Sequence, residues 1–155
     1  MFNIKNILLP TDFSNLSLSA ASYAADIAKQ YNAKIHLLYV LEKTPPVLAI
    51  RSLDLSEDKI IKSLEDEAKK SLKNTAEKVR NSLKDENLDL ETILRKGLDY
   101  VEINKYAEEK SVDLIVIATH GRTGLLHTLL GSVAEKVIRY AKRPVLVITP
   151  SGKEK

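Results

Sequence analysis

Two short stretches of this chain hold most of the side chains that could do chemistry. The first is Pro10-Thr11-Asp12-Phe13-Ser14, and the second runs from His120-Gly121-Arg122-Thr123-Gly124 to Gly131-Ser132-Val133. Three of the five glycines, Gly121, Gly124 and Gly131, fall in the second stretch. Glycine lets a backbone approach an anion closely and adopt turn angles that a β-carbon forbids. Gly131-Ser132 precedes an amphipathic segment, so it stands where free N–H groups and the helix dipole attract negative charge. The composition is that of a phosphate cradle. It equally suits plain turns at Gly121 and Gly124 and a plain helix cap at Gly131-Ser132. Asp12 is either a helix cap or a ligand for a hard cation. Arg122 is either a phosphate contact or a solvated loop cation. His120 is read as capping or packing the loop, since no neighbouring carboxylate marks it as a base. His36 and His127 have no second ligand at metal spacing and join no site.

Other chemistries are excluded by composition. Cysteine is absent, which removes disulfides, thiol catalysis and zinc–thiolate centres. Neither the G-x-x-x-x-G-K-[ST] of P-loop NTPases nor the G-x-G-x-x-G of dinucleotide folds occurs. Twenty-four Lys and Arg against 21 Asp and Glu give a net charge of only +3, too little to favour nucleic acid. No apolar run exceeds five residues, so no transmembrane helix is expected. Residues 1–10 lack the apolar core of a secretory signal, and a cytoplasmic location is expected.

The elements that must position these stretches are legible as alternation. Ile4–Leu9, stopped by Pro10, reads as a strand. Leu16, Ala20, Tyr23, Ala24, Ile27 and Tyr31 give a helix over about 15–31 with that stripe inward. Ala33–Leu41 reads as a second strand. Glu42–Ser56, interrupted by Pro45-Pro46, is long for a loop and suggests a lid or partner contact. Asp54 with Glu57 resembles a capping box before a helix of about 28 residues striped by Ile60, Leu64, Ala68, Leu72, Ala76, Val79 and Leu83. Leu88–Arg95 alternates like a half-exposed edge strand. Asp99 and Glu102 form a second box before a helix begun by Val101, Ile103, Tyr106 and Ala107. Asp113–Thr119 holds Leu-Ile-Val-Ile-Ala, a continuous apolar run, as in a central parallel strand. Leu130, Val133, Ala134, Val137, Ile138 and Ala141 make the last helix, and Pro144–Thr149 the last strand. Strict β-α alternation predicts one α/β domain over 1–150, a doubly wound (Rossmann-like) parallel sheet with helices on both faces, and a solvated tail at 151–155. Ligands of such sheets bind beyond the carboxyl ends of the strands, where strand order reverses.

Over nearly its whole length the sequence resembles the universal stress protein family. Lys5-Asn6-Ile7-Leu8-Leu9-Pro10-Thr11-Asp12-Phe13-Ser14 opens the match and Arg143-Pro144-Val145-Leu146 closes it. Its strongest part is Ala118-Thr119-His120-Gly121-Arg122-Thr123-Gly124 continuing to Leu130-Gly131-Ser132-Val133-Ala134-Glu135. The ATP-binding branch carries G-x2-G-x9-G-[ST]. Gly121 and Gly131-Ser132 keep that register, and Ala118 stands at the first glycine. The resemblance implies five strands in the order 3-2-1-4-5 and a homodimer through the last strand. It implies that Pro10 and Thr11 line an ATP pocket, that Asp12 approaches the ribose or a bound Mg²⁺ or Mn²⁺, and that Val40 meets adenine through its backbone. Gly121, Arg122, Gly131, Ser132 and Val133 would hold ribose and phosphates.

The function expected on this basis is an ATP-binding stress-response or signalling module. A slow ATPase or phosphotransferase is the enzymatic alternative. A nucleotide-free dimeric interaction or chaperone-like protein is the other, and Ala118 is the feature that favours it. A Gly131→Val substitution is expected to block the nucleotide sterically while leaving dimerisation intact.

Overall fold

The computed structural model describes residues 3–42, 56–120 and 130–149. They form β1 (Asn6–Pro10), a 3₁₀ turn (Ser17–Ala20), α1 (Ala21–Tyr31), β2 (Lys34–Leu41), α2 (Glu57–Leu83), β3 (Leu90–Lys96), α3 (Asp99–Glu109), β4 (Leu114–Ala118), α4 (Ser132–Tyr140) and β5 (Val145–Ile148). All strand pairs are parallel, in the order β3-β2-β1-β4-β5. β1 is therefore the middle strand, and the order reverses between it and β4. Ile7 pairs with Leu114 and Leu8 with Ile115, which sets the two strands side by side.

Strand alternation sorts the core into two layers. Ile7, Leu9, Ile35, Leu37, Leu114 and Val116 face α1 and α2. Leu8, Leu38, Ile115 and Ile117 face α3 and α4. β4 is buried along its whole length, as its unbroken apolar run requires. Beyond the buried Leu90, β3 is part-buried or exposed, in keeping with an edge position.

Several expectations shift. The first helix begins as a 3₁₀ turn and becomes α-helical only at Ala21. Serine hydroxyls tighten that entry: Ser17 Oγ donates to the Ser14 carbonyl at 2.9 Å and Ser19 Oγ to that of Leu16 at 2.7 Å. The core face of α1 consists of Ala21, Ala24, Ala25 and Ala28, whereas Tyr23 and Tyr31 point outward. Small side chains let the helix lie close to the sheet, and the tyrosines keep their hydroxyls in water. Val101 and Ile138, counted among the apolar residues that mark their helices, are also exposed. The N-cap of α3 is Leu98 and that of α2 is Ser56, and neither caps through its side chain. Asp99 is instead the first residue of α3. The scarcity of glycine is met by Asn32 and Lys84, which end α1 and α2 in the left-handed conformation at φ 53° and 51°. Residues 43–55 of the stretch read as a lid or partner contact, Asp54 among them, lie outside the described residues, as do Gly121, Arg122, Gly124, His127 and the tail.

One polar cluster interrupts the second layer. His36, buried on β2, has Nδ1 2.8 Å from both the Tyr106 hydroxyl and Glu91 Oε1, with Nε2 3.2 Å from Asn6 Oδ1. Burial pushes the His36 pKa below its ordinary 6.5, although the Glu91 carboxylate opposes the shift. Lys34 and Lys110 add to the lowering and Asp89 counters it. The folded protein thus prefers neutral His36 more than the unfolded chain does. Its contribution to stability is complete above pH 6.5 and is lost as pH falls through the lower folded value. Unfolding free energy should drop as pH falls below about 6.5, and His36→Gln should flatten that part of the slope. Parallel slopes for the two proteins in denaturant titrations would refute the assignment.

Candidate functional site

The turn after β1 is built from short-range hydrogen bonds. Asp12 Oδ1 accepts from the Ser14 amide at 3.0 Å and the Ser14 hydroxyl at 2.5 Å. Thr11 Oγ1 accepts from the Phe13 amide at 3.0 Å and lies 3.0 Å from Ser17 Oγ. Between them Phe13 takes φ 68°, a conformation that costs a non-glycine residue roughly 1–2 kcal/mol. The Phe13 ring stacks on Tyr39 at 4.2 Å, which helps hold the turn. The chain before Thr11 is fixed by its amide, which donates to the Leu38 carbonyl at 2.9 Å.

The facing wall comes from the end of β4 and the start of α4. The Thr119 amide donates to the Ile148 carbonyl at 2.8 Å. The Thr119 carbonyl then accepts from the Gly131 amide at 2.6 Å, bringing the α4 N-terminus back onto the strand. Gly131 is the N-cap and has no side chain with which to cap the amides of the first turn. Ser132 and Val133 follow as its first helical residues. Such amides offer partial positive charge to an anion. Thr119 Oγ1 and His120 Nδ1 lie 2.7 Å apart, so the imidazole is tied to the strand end.

A cavity of about 480 Å³ lies between these walls, within the roughly 300–1,000 Å³ usual for small-molecule sites. It sits beyond the carboxyl ends of β1, β2 and β4, at the switch point of the sheet. Pro10, Thr11, Asp12, Val40, Gly131, Ser132 and Val133 all line it. Gly121 and Arg122, expected beside them, are outside the described residues. Sequence reasoning missed other contributors: Tyr39 and Leu41 at the end of β2, Leu64 of α2, and Asp99 and Ile103 of α3. Asp99 and Ile103 are four apart on one helix, a spacing that places them on one face. Leu64 was visible in its stripe, but only as core.

Two sequence expectations acquire a different physical basis. A Cβ on Gly131 would stand 2.6 Å from the Thr119 carbonyl oxygen, so the protein's own backbone excludes a side chain there. The steric conflict of a valine at 131 is with the fold, not with a ligand alone. Ala118 is the final residue of β4 and is buried. Extended strand backbone makes no demand for glycine.

A hard cation fits this donor set. Among the described residues no group of three or more His, Asp or Glu converges into a metal cage. Asp12 supplies one carboxylate at the cavity wall. One or two carboxylates, completed by phosphate oxygens and water, is the usual provision for Mg²⁺.

Fold and site together define a doubly wound α/β protein with an amide-lined crevice at its switch point. The family model described as "Universal stress protein family" matches residues 3–149, and the chain belongs to that family. It is 40% identical over 152 residues to universal stress protein MJ0531 of Methanocaldococcus jannaschii, covering 97% of this chain and 85% of that protein. It is 31% identical to universal stress protein MJ0577 of the same organism, covering 93% and 94% of the two chains. The solved structure of MJ0577 superposes with a TM-score of 0.74 at 32% identity, over 94% of this chain and 96% of that one. The universal stress protein from Archaeoglobus fulgidus, solved in complex with dAMP, shares the fold with a TM-score of 0.63 at 22% identity, over 96% and 99% of the chains. Among the described residues no helix is long and apolar enough to cross a membrane.

Proposed function

We propose that this protein binds ATP, with Mg²⁺ or Mn²⁺, in the switch-point cavity and acts as a stress-response or signalling module. The observation that carries the reading is the meeting of the α4 N-terminus with the Thr11–Asp12 turn across one cavity. Backbone amides would receive the phosphates, and Asp12 would share the cation with them. Ser132 adds a hydroxyl beside those amides. The register of Gly121 with Gly131-Ser132 supports the assignment to the ATP-binding branch. Ala118, at the end of β4, departs from the first motif glycine and lines the same cavity, and it is the feature that favours the nucleotide-free alternative. The reading also carries a homodimer through β5, which among the described residues has a strand neighbour only in β4 and so leaves a sheet edge to cover.

Purified protein should release ATP on denaturation, or bind added ATP with Mg²⁺ at sub-millimolar concentration by calorimetry. Absence of binding at millimolar ATP would favour the nucleotide-free dimer instead. Phosphate release measured in the same samples separates a slow hydrolase from a binder: hydrolysis native to this site must vanish in Asp12→Ala.

A further inference from the structure

Between α3 and the end of α4 lies a second, open cavity of about 600 Å³, which shares no described lining residue with the first. Val101 and Tyr140, two of the large apolar side chains that the fold leaves exposed, line it. Tyr140 is 56% exposed and stacks on Tyr100 with ring centroids 5.5 Å apart. Lys136 Nζ stands 5.2 Å from the Tyr100 centroid. Tyr100 thus has both a cation and a ring as partners, whereas no cation of the described residues lies over Tyr140. Asn104 of α3 lines the same cavity and is buried. Its Nδ2 donates to the Val137 carbonyl at 3.4 Å, longer than the roughly 2.7–3.2 Å of an ordinary N–H···O bond. Its Oδ1 is buried with no partner among the described residues. Glu108 and Glu109 complete the lining, with Lys105 as its one cation among the described residues.

A buried acceptor without a donor costs stability, which makes Asn104 a group that gains from an incoming donor. Its one hydrogen bond is long, so the amide can turn toward the cavity at little cost. The other side-chain acceptors of the lining include two carboxylates, which favour a donor that is also a cation. Glu108 pairs with Lys142 at 3.2 Å, and Glu109 with Arg95 and, at 3.9 Å, Lys105. Exposed ion pairs of this kind are worth little, so an arriving cation can exchange with the lysines. Guanidinium suits the set better than ammonium. It is flat enough to stack on tyrosine, and its fork of N–H groups can reach an amide oxygen and a carboxylate together. An open groove with exposed tyrosine and a polar rim has the composition of a protein-docking hot spot. We propose that the α3–α4 cavity docks a segment of a partner protein through an arginine side chain. The guanidinium lies on the Tyr140 ring and donates to Asn104 Oδ1 and Glu108, while an apolar neighbour of the arginine packs on Val101. This docking does not depend on nucleotide binding.

The test is NMR titration of the isotope-labelled full chain with an acetylated, amidated Gly-Leu-Arg-Leu-Gly peptide. Saturable shifts should appear at the Asn104 side-chain amide and at Tyr100 and Tyr140. The same peptide with citrulline for arginine keeps the shape and loses the charge, and it should bind about tenfold more weakly. Asn104→Leu removes the unpaired acceptor at similar volume. Its urea midpoint should hold or rise while peptide affinity falls about tenfold. Tyr140→Ala changes an exposed side chain and should keep the fold while weakening the peptide about threefold or more, which serves should Asn104→Leu misfold. No saturable shift at these residues with millimolar peptide would overturn the proposal. So would equal affinity for the citrulline peptide, or unchanged affinity in the folded variants. Shifts of the same resonances that follow protein concentration without peptide would put a second copy of the chain in the groove and overturn it as well.

Discussion

Gly131→Ala should cost about 2–4 kcal/mol of stability and raise the dissociation constant for ATP more than about tenfold. The new Cβ would lie 2.6 Å from the Thr119 carbonyl oxygen, closer than real β-carbons approach such atoms. The partner is backbone at the end of a buried strand, so it cannot swing aside as a flexible side chain would. Relief requires the start of α4 to move away. That movement breaks the 2.6 Å Gly131–Thr119 hydrogen bond and displaces the amides proposed to hold phosphate. Urea unfolding and ATP titration of the same preparation check both effects. Wild-type stability accompanied by lost binding would restore the simpler view, in which glycine at 131 only makes room for a ligand.

Asp12→Asn should separate charge from architecture at the opposite wall. The Asn Oδ1 can still accept from the Ser14 amide and hydroxyl, so the turn carrying Phe13 at φ 68° keeps its support. Unfolding free energy should change by no more than about 0.5 kcal/mol. The lost carboxylate should nonetheless weaken Mg²⁺–ATP binding about 10- to 100-fold, the range for interactions of a charged group. With Mg²⁺ chelated, wild type and variant should converge. Asp12→Ala removes the acceptor as well and should cost about a further 0.5–1.5 kcal/mol of stability. Equal Mg²⁺–ATP affinity in wild type and Asp12→Asn would remove Asp12 from the cation site.

The alternation of strands and helices was readable because each buried element carries an unambiguous period. Leu114–Ala118 has no polar residue, and the 27 residues of α2 keep one apolar stripe. Element ends were less legible. Asn32 and Lys84 stop helices with a backbone conformation that ordinary propensity assigns to glycine. Tyr23 matched the helical stripe of α1 in spacing, yet burial there went to alanines because helix and sheet pack closely. At the site, the glycine register and the Pro-Thr-Asp turn stood out by composition. Asp99 did not, since an acidic residue opening a helix is routine and only tertiary packing turns it toward a cavity. The reason for Gly131 was equally hidden, because nothing local in sequence announces that Thr119 lies against it.

The two walls of the crevice are separated by more than a hundred positions along the chain, from Thr11 and Asp12 to Gly131 and Ser132, and they meet only where β4 lies beside β1. A partly synthesised chain that ends before α4 therefore owns half a binding surface. Any ligand gripped by both halves recognises the finished molecule alone, and by mass action it holds back unfolding in proportion to the logarithm of its concentration over its dissociation constant. The abundance of such a ligand in the cell would then set the lifetime of the protein as well as its state of occupancy.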